Sequence, residues 1–441
     1  MSERAPMSFE HARVTRRGFL KAMGAASIVT ALGGVISLGR QGFDPSGDIT
    51  VWWAGGDPER IFLEDHVVPM VRAQYPSIGN IDLVNIPEYE EKVTISIAGD
   101  VWPDVLKMFD TETVSWHKRN IPMVLNRYIE GPEGIDMSDF WPGLGFLHKD
   151  GDQIFGIPID AMDFAFYINV DVFDELGLDI PNNWGEMREI ARKATVRRGD
   201  EVVRYGTAAL LTWDYPFWAW LLQNGGQIWS DDKRKATFNN EVGLDTVQFF
   251  REMQFEDNSV IPPGVTEGWQ GDWFGQQRIA MMKCGPWCTG HIELFFPDVN
   301  FEVVPLPLKR DVSPPPRFTN VLFSSIWTIA RKAKNPDGAW AFLKTMMSPE
   351  AHRAWTDLGI TPPGRMSVAN TYMAETRPDW VAFIDQMVDS STEYILDRYT
   401  QVRNLLGPEI NNIFNPQVAK DPKRALDDAA RRIEQEVLRF Q

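Results

Sequence analysis

A doubly wound α/β fold spread over two domains is what the sequence predicts, and three observations lead there. The first is alternation. Asp48–Trp53 is a short apolar run ending in the turn Ala54-Gly55-Gly56-Asp57, Ile81–Ile86 is a second run, and Pro103–Met108 a third, with helical spacing between them. The second is length, since 441 residues exceed what one hydrophobic core usually serves. The third is composition: 44% hydrophobic and 24% charged residues are a globular balance, and neither internal repeats nor low-complexity tracts interrupt it.

Taken in order, the chain opens on a targeting signal. Thr15-Arg16-Arg17-Gly18-Phe19-Leu20-Lys21 precedes an uncharged stretch from Ala22 to Gly39, the layout of a twin-arginine export signal over residues 1–40. Its glycines, Ser27 and Thr30 make the stretch too weakly apolar for a permanent membrane anchor. No cysteine stands near its end to carry a lipid, so the expectation is a free, periplasmic protein. The signal carries six basic and two acidic residues, and its removal takes the formal charge from −17 to −21. A field of that sign excludes nucleic acid and anionic lipid as natural partners.

Beyond the first strand, Pro58 opens a helix with Ile61, Val68, Val71 and Tyr75 on one face. Glu88–Ala98 reads as the helix before the third strand. Asn335-Pro336 caps a helix striped by Ala339, Phe342, Leu343 and Met346, and Asp421-Pro422 caps one striped by Leu426, Ala429, Ile433 and Val437. Strand–helix alternation of this kind builds a parallel sheet, with ligands at the carboxyl ends of its strands.

Chemistry-bearing motifs are scarce. The sequence has no P-loop, no GxGxxG after a strand, no HExxH and no GxSxG, and its six histidines show no paired spacing. No cofactor, metal or catalytic centre is called for. Cys284-Gly285-Pro286-Trp287-Cys288 has three residues between its thiols where a redox dithiol has two. Cys284, Cys288 and His291 recur at helical spacing, yet a helix begun at Pro286 leaves Cys284 outside it, which disfavours a metal site. A structural disulfide, suited to an oxidising compartment, and two unpaired thiols both remain open. The 17 tryptophans suggest that some indole rings face a ligand.

The order of segments resembles the extracellular solute-binding proteins of sugar importers of the ABC class, the family that includes maltose-binding protein. Ile49–Trp53 is similar to the family's first strand, and Ala98-Gly99-Asp100 with Pro103-Asp104-Val105 to a segment shortly after it. Gly156-Ile157-Pro158 with Phe166–Phe173, Leu176-Gly177-Leu178 with Trp184, and Asn224-Gly225-Gly226 follow in family order. Ile279–Met282 with Gly285-Pro286-Trp287, and Asn335–Phe342 with Ser348-Pro349-Glu350, complete the set.

The resemblance implies two α/β lobes joined by crossing hinge segments that close on a solute. It places the N-terminal lobe at 48–157 plus 308–361 and the C-terminal lobe at 158–305 plus 366–441. The crossings are expected near Gly156-Ile157-Pro158, Pro305-Leu306-Pro307 and Pro362-Pro363-Gly364. A sugar site needs aromatic plates for its C–H face and polar side chains for its hydroxyls. Trp287 matches the position where family members stack tryptophan on sugar. Trp53 and Asp57 end the first strand, where contact with ligand competes with a packed turn. Asp110 follows the third strand, as contact or helix cap, and Asp160 follows the first crossing. Trp213, Tyr215 and Trp218 fall in the aromatic stretch of maltose-type members, with Trp213 in place of an acid, and Met108 stands where those members carry an aromatic ring. Trp269, Asn320 and Arg365 complete the candidates. The expected partners are a neutral sugar or short oligosaccharide and the membrane permease, with the protein itself a monomer. A polyol, a quaternary amine or a glycerophosphodiester in the same trap, and a secreted carbohydrate-active enzyme, are the rival readings.

Overall fold

The computed structural model of the chain describes residues 42–208, 214–262, 269–309, 312–387, 389–392 and 394–440, with 214–216 described by backbone alone. In chain order the principal strands are β1 (Gly47–Trp53), β2 (Ile78–Asn85), β3 (Val105–Phe109), β4 (Ile157–Pro158), β5 (Ala165–Asn169), β6 (Val196–Arg198), β7 (Glu201–Thr207), β8 (Ile279–Cys284), β9 (Phe301–Val304) and β10 (Ser325–Ile329). They form two five-stranded sheets, one ordered β2-β1-β3-β10-β4 and the other β9-β5-β8-β7-β6. Each sheet is the centre of one lobe.

In the first lobe the period-2 alternation of the strands sets the layers. Val51 and Trp53 of β1 and Val105 of β3 enter the core shared with helices Asp57–Gln74 and Pro336–Met346. Trp52, Leu106 and Met108 enter the opposite layer, beside Tyr89, Val93 and Trp116 of helices Tyr89–Ala98 and Asp110–Lys118. Both faces are covered, which is why these strands read as nearly continuous apolar runs. The helix that Pro58 opens carries a wide turn at Phe62–Val67, just before Pro69, whose missing N–H removes one bond of the ordinary helical ladder.

The sheets are mixed rather than wholly parallel, a correction to the pattern expected from alternation. β1 runs parallel to β2 and β3, but β10 is antiparallel to both β3 and β4. In the second sheet β8 is parallel to β7, and β5 is antiparallel to β8 and β9. The cause is connectivity. β5 and β10 each begin where the chain arrives from the other lobe, so each starts at the end of its sheet where the neighbouring parallel strands finish.

Two segments carry the chain from one sheet to the other, residues 159–164 after β4 and the stretch between β9 and β10, and a third crossing strip, residues 359–365, is bonded to the first. Ala161 N–H donates to Pro362 O at 3.1 Å, Gly364 N–H to Ile159 O at 2.8 Å, and Met162 and Phe323 exchange two bonds of 2.9 Å. Gly364 tolerates no side chain, because a Cβ there would press on the Pro158 carbonyl. The two C-terminal helices, Tyr399–Phe414 and Pro422–Glu436, pack on each other and on helix Glu241–Phe255, the second of them capped by Asp421. No helix among the described residues is long and apolar enough to cross a membrane.

Candidate functional site

The strand ends that face each other across the lobes enclose a cavity of about 750 Å³, within the range of small-molecule sites. The first lobe supplies charge to it. Asp57 and Glu59 come from the turn after β1 and the helix it starts, while Phe109, Asp110, Thr111 and Glu112 come from the end of β3. Lys107, the one charged residue of β3, is buried with its Nζ 2.7 Å from Glu59 Oε1 and 3.0 Å from Ala54 O. The loop after β1 is thereby fastened to β3.

Asp110, Glu112 and Asp160 are built in, whereas Asp57 is exposed and pairs with Arg60 at 3.2 Å. Glu112 accepts the Phe109 N–H at 2.7 Å and the Thr111 hydroxyl at 3.0 Å. Burial, followed by the nearby Glu90 charge, pushes Glu112 up to about 8 despite those donors. Asp110 accepts the Tyr394 hydroxyl at 2.9 Å. Asp160 accepts the Ser325 N–H at 2.7 Å, the Ser324 hydroxyl at 3.0 Å and the Thr361 hydroxyl at 3.1 Å, so one carboxylate gathers these three segments. Its burial outweighs the donors and pushes it up to about 7.

The second lobe supplies rings. Helix Trp287–Phe295 starts directly after β8 and presents Trp287, His291, Leu294 and Phe295, with Trp269 alongside. Trp269 meets the His291 ring edge-on at 4.8 Å, and His291 Nε2 lies 2.9 Å from Asp272 Oδ1. Trp287 is half-buried, edge-on to Phe164 at 6.2 Å and tilted against Phe323 at 5.9 Å. Arg403, from the first of the C-terminal helices, also reaches the cavity. Among the described residues no cluster of His, Cys, Asp and Glu has metal-holding geometry.

Of the residues singled out from sequence, Asp57, Asp110, Asp160, Trp269 and Trp287 come together in this cavity. Four do not. Trp53 points into the first-lobe core, because the strand's alternation sends it to the face covered by helices. Trp218 is fully buried and donates its indole N–H to Tyr399 Oη at 2.7 Å, anchoring a C-terminal helix. Asn320 is buried with its amide donating to Phe164 O at 2.7 Å, a tie between two crossing segments. Arg365 is held by Asp139 at 2.7 Å and the Met347 carbonyl at 2.6 Å, with Phe140 beneath it. Trp213 and the Tyr215 side chain lie outside the described residues. Met108 is core, and the neighbouring Phe109 supplies the ring at that wall. Cys284 and Cys288 are joined in a disulfide.

Sequence reasoning missed Lys107, Glu112, Phe323 and Arg403. A lysine inside the apolar run Val105-Leu106-Lys107-Met108-Phe109 was a readable signal, and Glu112 lies only two residues beyond Asp110. Arg403 carried none, since it sits on a helix nearly 300 residues further along the chain from Asp110.

A two-lobed α/β protein with a solute-sized cavity between strand ends defines a class of binding protein, and sequence comparison agrees. The pattern of the bacterial extracellular solute-binding proteins matches residues 79–353, and the chain belongs to that family. A Brucella abortus chain described as a binding protein is 21% identical over 283 residues, a match covering 63% of this chain and 66% of that one, just under two thirds. The arabinooligosaccharide-binding protein of Halalkalibacterium halodurans is 22% identical over 383 residues, covering 81% of this chain and 76% of its own. Among solved structures, the GacH receptor of Streptomyces glaucescens, determined unliganded and with acarbose, superposes with a TM-score of 0.78 at 18% identity. That superposition covers 88% of this chain and 98% of the receptor, and it establishes the shared fold.

Proposed function

We propose that this chain is the capture component of an ABC importer, which closes its two lobes on a neutral sugar or short oligosaccharide and delivers it to a membrane permease. The observation that carries the proposal is the division of the cavity: Trp269, Trp287 and Phe295 from one lobe, and hydrogen-bonding carboxylates beside the single ring of Phe109 from the other. A pyranose or furanose has the matching division, an apolar C–H face and a rim of hydroxyls. Since each lobe holds one wall, a sugar gains its full contacts only when the lobes are closed, and its differential affinity favours that state. No bond of the sugar is made or broken. The sugar ligands of the Halalkalibacterium and Streptomyces relatives support this reading.

Delivery to the periplasm by the twin-arginine route rests on Thr15–Lys21 and the uncharged stretch after it, and fits an extracellular family. The protein is proposed to act there as a monomer, without enzymatic turnover. A thermal-shift screen of the secreted chain against mono-, di- and oligosaccharides, polyols and betaine-like amines tests the proposal. A sugar at about a hundred times its Kd should stabilise by roughly 2.7 kcal/mol. A shift with amines alone would keep the trap and overturn the guest, and consumption of a glycan would overturn the assignment as a binding protein.

A further inference from the structure

The Cys284–Cys288 disulfide is an unexpected feature for a protein with two large cores. Cross-linking residues four apart closes a very short loop, and the gain from a disulfide grows with the loop it closes. As a staple for the whole fold it is in one of the least effective places available. What it does restrain is the three residues it spans, and one of them is Trp287.

Those residues are fixed from several sides. Both sulfurs are fully buried. The Trp287 ring folds back over Gly285, where any Cβ would collide with its six-membered edge. Pro286 sets the backbone that starts the helix, and the Cys288 and Thr289 N–H groups close its first turn on Gly285 O at 3.1 Å and Pro286 O at 3.0 Å. Tyr167 donates to the same Gly285 carbonyl at 3.0 Å and lies 2.8 Å from the Thr289 hydroxyl, which also meets Trp380 Nε1 at 3.2 Å. Phe164 and Phe323, one from each of the first two crossing segments, pack against the ring. Trp287 still lines the cavity.

We infer that the disulfide is a positioning device for the binding site: it holds Trp287 as a rigid plate before ligand arrives, so that its ordering does not weaken capture. This rests on the reading of Trp287 as a sugar plate. A side chain immobilised in advance loses less entropy on binding. Cys284 and Cys288 are positioning residues that act through Trp287 and touch no ligand themselves.

The test separates the tether from the plate. Protein labelled with 5-fluorotryptophan is examined by ¹⁹F NMR without ligand, the Trp287 line being assigned with Trp287→Phe. The line is expected to be single and sharp in the native chain and to broaden or split in Cys284→Ala/Cys288→Ala, while the Trp218 line is unchanged. Cys284→Ser/Cys288→Ser, which also removes the bond but nearly keeps the side-chain size, should broaden or split the same line and supplies a second route if the alanine variant folds poorly. An unaltered Trp287 line in a folded cysteine variant overturns the inference. Calorimetric titration with maltotriose then closes a double-mutant cycle. Loss of the disulfide should weaken binding about fivefold with Trp287 present and by less than about twofold in Trp287→Ala. Equal losses in both backgrounds contradict the inference. A native chain indifferent to maltotriose counts against that sugar as guest, and the fluorine line alone then decides the tether.

Discussion

The two walls of the cavity are made of different chemistry and held by different means. The first-lobe wall carries carboxylates after strands and at helix starts, beside Phe109, and its three buried ones are satisfied by donors from the same lobe, the crossing segments or the C-terminal region: Glu112 by the backbone of β3, Asp110 by Tyr394, Asp160 by Ser324, Ser325 and Thr361. The second-lobe wall is aromatic, and its central ring is held by steric packing and a covalent loop. The polar wall can report on charge and on the crossings; the aromatic wall can only offer surface. On the proposed function, the contrast divides capture between shape on one side and hydrogen bonding on the other, so each wall should fail in its own way.

The largest expected effect falls on the polar wall's foundation. Lys107→Met removes the buried cation that holds the half-buried Glu59 at 2.7 Å, and loss of one member of such a largely buried pair costs about 3 kcal/mol of stability. Urea denaturation reads it, and a cost below about 1 kcal/mol would show that the pair does not hold the β1 loop to β3. Next comes the aromatic wall. Trp287→Ala should leave folding nearly intact and weaken sugar affinity about thirtyfold, roughly 2 kcal/mol, by calorimetric titration. Unchanged affinity would remove the ring from the site.

A smaller effect separates the walls by pH. Asp160 and Glu112 have folded-state values raised to about 7 and about 8, above those of the unfolded chain. Their protonated forms therefore favour the native state fully below pH about 4, and that contribution is lost as pH rises through 7 to 8. Urea midpoints at pH 5 and pH 8 should fall more for the native chain than for Asp160→Asn/Glu112→Gln. Parallel profiles would mean that neither group is protonated in the folded protein at pH 5. The smallest binding effect belongs to Trp218→Phe. Loss of its bond to Tyr399 should lower stability by about 1 kcal/mol while leaving sugar affinity unchanged, which distinguishes a core tryptophan from a wall tryptophan.

These contrasts also mark what was legible in the sequence. Asp57, Asp110 and Trp287 stand directly after strands or at helix starts, and the rule that ligands collect at strand ends finds such positions from local pattern alone. Trp53 and Trp218 are the same residue type in equally suggestive surroundings, yet one faces helices and the other a tyrosine 181 residues away. No local pattern states which way a ring turns. Asn320 and Arg365 were drawn inward by partners on distant segments, Phe164 and Asp139. The mixed sheets have the same origin, since the sense of β5 and β10 follows from where the chain returns, and alternation records only that strands and helices take turns. The pairing of Cys284 with Cys288 needed coordinates, because spacing alone admits bonded and free thiols alike.

Saturation-transfer NMR on maltotriose with the secreted chain addresses the division of the cavity most directly. With the aromatic protons irradiated, the account expects transfer concentrated on the C–H protons of one sugar face, strongly reduced in Trp287→Ala and preserved in Glu112→Gln. Transfer spread evenly over the sugar, or the same in Trp287→Ala as in the native chain, would contradict it.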